Sequence, residues 1–110
     1  AEDALRYATA HRSSFMWPWE QAPHSVAEGI LDDETYDWAA VLQGMAATGG
    51  TTVVADEETL REANRVAREA TGVAVSHTGS AGLAGLLQLR GAGVIATGAR
   101  VGVLFTGVQR

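Results

Sequence analysis

The segment from Gly49 to Arg110 leaves this chain the fewest choices of fold. Three short apolar runs, Thr51 to Ala55, Val73 to Val75 and Val101 to Phe105, are separated by two stretches whose apolar residues recur at helical spacing. That alternation predicts a βαβαβ unit with a parallel sheet. The expected fold class is therefore α/β, a three-layer α/β/α arrangement with N-terminal helices. Its boundaries are a helical and aromatic-loop segment over 1–48 and a βαβαβ subdomain over 49–110, within one domain. In such sheets ligands sit beyond the carboxyl ends of the strands, at the turns into the helices. Here those turns are Asp56-Glu57-Glu58, Ser76-His77-Thr78-Gly79 and Thr106-Gly107.

Composition narrows the partners. A chain of 110 residues is one domain at most, with room for a modest core. A net charge of -5 and the lack of a basic patch argue against nucleic acid, which is held largely through Lys and Arg on phosphates. Zero cysteines exclude disulfides and thiolate metal sites. No apolar stretch reaches the roughly 20 residues of a membrane span, and no secretory pattern opens the sequence. A cytoplasmic protein is expected. All eight basic residues are arginines, so the chain contains no lysine and cannot by itself supply a Schiff-base amine.

Along the chain, Leu5 and Ala8 fall at helical spacing between Ala1 and Arg12, with Glu2 and Asp3 at the end where the helix dipole favours negative charge. A start at Ala1 without Met or a capping residue leads to the expectation of a piece of something longer. Phe15, Met16, Trp17 and Trp19 crowd around Pro18, which disfavours helix. These aromatics either roof a core or form a contact surface for a missing domain or subunit. A helix is predicted from Asp33 to Met45 with Asp32 or Asp33 as its N-cap. The same run, Asp32-Asp33-Glu34, also has the chemistry to hold a hard cation.

Asp56 is a good N-cap for the next helix, whose predicted buried stripe is Leu60, Ala63, Val66 or Ala67, and Ala70. Thr71-Gly72 should end it. The following helix, Ser80 to Leu89, is rich in Ala and Gly. Interior glycines cost about 1 kcal/mol each against Ala, so close packing must compensate. Its N-terminus has the free N–H groups that suit an anion, or Thr78 simply caps it. His77 reads either as a packed or exposed histidine or as an acid or base.

The order Ser25-Val26-Ala27-Glu28-Gly29-Ile30, Gly49-Gly50, Asp56-Glu57-Glu58 with Glu62-Ala63, His77-Thr78-Gly79 with Leu83-Ala84-Gly85-Leu86, and Val101 to Thr106-Gly107 resembles the C-terminal part of fold type II pyridoxal-phosphate enzymes. Threonine synthases are the most similar, through the His-Thr-Gly turn and a terminal strand ending in Thr. Threonine dehydratases and serine racemases carry Glu-Pro-Ser-Gly at that turn. The resemblance covers about Ser25 to Gly107. It implies that Thr106 hydrogen-bonds the cofactor's pyridine nitrogen, that the Gly29 backbone approaches the cofactor ring, and that Thr78 and Gly79 form the turn beside it. Each has a plainer reading as well, Thr106 as a strand-end cap and Gly29 as a turn glycine.

The resemblance further implies that the Schiff-base lysine, the Asn on the cofactor's 3'-oxygen and the phosphate loop lie upstream. The chain is then an inactive C-terminal fragment whose partner is the remainder of the parent enzyme. That parent is a lyase of amino-acid biosynthesis that converts O-phosphohomoserine to threonine, or a related lyase or racemase. Sheet edges exposed by such a cut would favour a homo-oligomer. The alternative from a different class is an independent α/β interaction or small-ligand module that uses no cofactor.

Overall fold

The computed structural model describes residues 2–109. Four α-helices form, α1 (Glu2–Ala10), α2 (Trp38–Thr48), α3 (Glu57–Thr71) and α4 (His77–Gly91), with 3-10 turns at Arg12–Ser14 and Glu28–Ile30. The described residues fall into two compact units, one comprising those up to Pro23 together with Asp32–Thr52, the other His24–Leu31 together with those from Val53 on.

The first unit holds α1 and α2. The Tyr7 ring stacks on His11 with centroids 4.1 Å apart, and Phe15 meets Tyr7 edge-on at 6.5 Å. Arg12 pairs with Glu34. α2 begins later than its acidic run predicts. Asp32 Oδ1 instead accepts the Glu34 N–H at 3.1 Å, closing a local turn. The residue before α2 is Asp37, left-handed at φ 52° and with no side-chain cap bond. No described residue of this unit is buried. Phe15, Trp17 and Trp19, exposed by 55%, 53% and 43%, therefore roof no core here.

The second unit is built on α3 packed against α4. Asp56 Oδ1 accepts the Thr59 N–H at 2.7 Å and caps α3. Gly72, left-handed at φ 71°, ends it as predicted. α4 starts earlier than the sequence pattern implies, because Ser76 caps it by accepting the Gly79 N–H at 3.0 Å. Ala27, Leu60, Ala63 and Ala84 form the core, flanked by Val26, Ala55, Ala81, Leu83 and Leu87. Ala70 of the expected stripe is exposed, and Asn64 is buried in its place.

The predicted parallel sheet is absent, and with it the α/β/α class: among the described residues the protein is all-helical, with no strand. A strand exists only through its ladder, and β-propensity describes residues that suit a pleated surface rather than an independent backbone preference. Val53–Ala55 and Arg100–Phe105 make no backbone hydrogen bond to any described residue. Val73 to Val75 curls on itself, the Val75 N–H reaching the Val73 carbonyl at 2.8 Å, as in a γ-turn. The pairing present is an isolated antiparallel bridge, Val75 to Val108. Among the described residues no helix is long and apolar enough to cross a membrane.

Candidate functional site

The four residues singled out by the sequence, Gly29, Thr78, Gly79 and Thr106, come from three separate segments, and the second unit brings them together. Its foundation is a buried polar knot between the helices. Asn64, 5% exposed, donates through Nδ2 to the Val75 carbonyl at 2.9 Å and to Ser80 Oγ at 3.1 Å. The fully buried Ser80 hydroxyl lies 3.0 Å from the Ser76 carbonyl and 3.3 Å from that of His77. Buried polar groups are tolerated when their bonds are made, and these hold the turn into α4 from below.

On that turn, Thr78 Oγ1 accepts the Gly29 N–H at 3.0 Å. Thr78 thus ties the Glu28–Ile30 turn to α4 instead of capping the helix. A Cβ at Gly29 would lie 2.8 Å from Thr78 Cγ2, so this approach requires glycine. The Gly79 carbonyl accepts the Thr106 N–H at 3.2 Å, and the Ser76 N–H reaches the Gly107 carbonyl at 3.1 Å. A Cβ at Gly79 would run into the Gly107 backbone, its nitrogen only 2.6 Å away. Beyond this clamp the Gln109 N–H bonds the Ala74 carbonyl at 2.8 Å, and Arg68 donates to the Gln109 side chain at 2.9 Å.

Glu57 fastens the other side. Its carboxylate accepts the Val26 N–H at 3.0 Å, which holds the segment leading to Gly29 against the start of α3. The Ser25 hydroxyl, then the Val26 N–H, then the charges of Arg61 and His77 keep the Glu57 carboxyl below its ordinary range. Asp56 is lowered as well, chiefly by the Thr59 N–H it accepts. His77 therefore sits in the field of a carboxylate at the mouth of α4.

Two features bear on whether a pyridoxal cofactor fits. Thr106 is exposed, and its hydroxyl has no hydrogen-bond partner among the described residues, leaving it available for a ring nitrogen. The bare faces of Gly29 and Gly79, by contrast, are occupied by Thr78 and Gly107, so these glycines serve packing within the chain. Of the contacts the resemblance implies, the structure leaves the Thr106 hydroxyl unpartnered among the described residues and fills both glycine faces from within the chain. Among the described residues no group of three His, Asp or Glu side chains is placed to hold a metal ion.

Sequence reasoning missed Asn64 and the Ser76 cap. Asn64 lies four residues after Leu60 and three before Ala67, a polar residue on an apolar stripe, and that position was its signal. No family model, curated protein or solved structure matches the chain.

Proposed function

We propose that this chain forms part of a pyridoxal-phosphate-dependent enzyme of the threonine-synthase kind and supplies the side of the site that faces the cofactor's pyridine nitrogen. The supporting observation is the convergence of Gly29, Thr78, Gly79 and Thr106 through the bonds Gly29 N–H to Thr78 Oγ1 and Thr106 N–H to the Gly79 carbonyl. When bound, the cofactor acts as an electron sink for the substrate amino acid. The Thr106 hydroxyl donates to the ring nitrogen and, being a neutral group, leaves that nitrogen unprotonated more readily than a carboxylate would. The Gly79 carbonyl, which accepts the Thr106 N–H, fixes where Thr106 stands.

On this reading the Schiff-base lysine, which this chain lacks, and with it the Asn on the 3'-oxygen and the phosphate loop belong to polypeptide outside this sequence, and the chain alone is inactive. The whole enzyme would eliminate phosphate from O-phosphohomoserine and add water to give threonine. The absence of cysteine agrees with a reducing, cytoplasmic setting.

The test is a titration of the purified chain with pyridoxal phosphate, followed by thermal stability. Saturable stabilisation is expected, with roughly fivefold weaker binding for Thr106→Val, the loss of one hydrogen bond of about 1 kcal/mol. No stabilisation, or a Thr106→Val variant that binds as well as the wild type, rejects the reading. The exposed Phe15, Trp17 and Trp19 favour a second reading, an interaction module without cofactor, under which pyridoxal phosphate leaves stability unchanged.

A further inference from the structure

The first unit carries a cleft that the proposed function does not use. Its volume is about 360 Å³, within the range of small-molecule sites. Arg12, Met16, Trp17 and Pro18, from the segment after α1, line it together with Asp33 and Glu34. Both segments belong to the same compact unit.

The charges in this cleft are unevenly matched. Arg12 pairs with Glu34, which balances one of the two carboxylates. Asp33 is half-buried and has no partner among the described residues. The Trp17 indole N–H donates to Glu20 Oε1 at 3.3 Å, so a further carboxylate lies at the edge of that ring. The face of an indole is itself a negative surface, and a carboxylate accepting its N–H adds to that character. Negative potential, an aromatic ring and the half-buried Met16 thioether therefore meet in one place.

That combination discriminates between kinds of cation. A hard metal ion such as calcium takes about six to eight oxygen ligands. Here Asp32 closes its turn with the Glu34 N–H and Glu34 is paired with Arg12, which leaves Asp33 as the carboxylate of the acidic run without a partner. Among the described residues no three His, Asp or Glu side chains are placed to hold a metal. An indole and a thioether, by contrast, favour contact with a diffuse positive charge and the carbon groups that carry it.

We propose that this cleft binds a small organic ammonium ion. Its N–H groups donate to the Asp33 carboxylate, while its charge and adjoining carbon chain lie against Trp17 and Met16. Coulombic and cation–π attraction both fall off gradually with displacement, which suits a unit with no buried residue among those described. Binding is accordingly expected in the millimolar range. It takes place in the first unit and is independent of the cofactor reading.

The probe is phenethylammonium, with phenethyl alcohol as its uncharged counterpart and calcium chloride as the hard cation, each followed by NMR of the amide and indole N–H groups. Millimolar phenethylammonium should shift the Trp17 indole N–H and the Asp33 amide saturably and leave the Gly29 and Thr106 amides in place. Phenethyl alcohol and calcium should bind far more weakly. Asp33→Asn should weaken binding roughly tenfold, the size of a charge-assisted hydrogen bond. Trp17→Leu should weaken it roughly threefold through loss of the cation–π contact. Asp33 bonds to nothing described, so Asp33→Asn should keep the helical circular dichroism of the wild type. The proposal is overturned by an absence of saturable shifts at Trp17, by equal binding of phenethyl alcohol or of calcium, or by an Asp33→Asn chain that binds as tightly as the wild type.

Discussion

In the second unit α3 and α4 each begin on a side chain that closes the first turn, and residues of both are buried. In the first unit α2 begins on a left-handed Asp37 without a side-chain cap, and no described residue is buried. The first unit relies on ring stacking and on the exposed Arg12–Glu34 pair, interactions worth at most about 1.5 kcal/mol each. The difference teaches where a site can be held. Positions set to within a few tenths of an ångström need a filled core and satisfied polar groups beneath them, and only the surroundings of Gly29, Thr78, Gly79 and Thr106 have both.

The sharpest way to break this contrast is to place the same methyl group in both units. Gly79→Ala drives a Cβ into the Gly107 backbone and should destabilise the second unit by roughly 2–3 kcal/mol, despite the helix propensity gained. In α2 a Cβ at Gly44 meets nothing within 4 Å, so Gly44→Ala should stabilise by up to about 1 kcal/mol. Urea unfolding of the two variants checks both signs.

Next in size is the knot. Asn64→Leu keeps the branched shape but leaves the Val75 carbonyl and Ser80 hydroxyl short of a donor, and should cost about 2 kcal/mol. Amide exchange in that variant should be faster at Thr106 than in the wild type. The first unit offers the opposite opportunity. Asp37→Gly relieves a positive φ and should stabilise α2 by roughly 1 kcal/mol, seen as helical signal retained to higher temperature.

How far the sequence showed this division depends on the kind of signal. The Asp56 cap and the Gly72 stop could be read because each acts within its own helix turn, and they hold in the structure. The start of α2 could not, since Asp32 had a competing local turn to close with Glu34. The apolar runs misled for a different reason. Val53–Ala55 and Val101–Phe105 have the residues of strands, yet pairing is a property of two segments, and no described segment answers them. The convergence of Gly29 with Thr78 spans 49 residues, and it entered the sequence analysis only through the family resemblance.

The smallest effects concern pH. The Glu57 carboxyl lies below its ordinary range in the folded chain, so its hold on Val26 is in force above the unfolded-state value and fades as pH falls through the lower, folded one. Acidification should therefore loosen the His24–Leu31 segment before α3 and α4 melt, and Glu57→Gln should weaken that dependence. Asp56 follows the same sign. Amide chemical shifts of Val26 and Thr59 across acid pH report on these two carboxylates.

Residue-resolved hydrogen exchange tests the central claim most directly, because it reads the bonds that fix the site and the runs that pair with nothing described in one experiment. The Gly29, Ser76 and Thr106 amides should be protected. Those of Val53–Ala55 and Val101–Phe105 should exchange freely. Protection of these two runs would mean that a sheet forms within the chain, and exposed Gly29 and Thr106 amides would mean that the site is not held; either result contradicts the account.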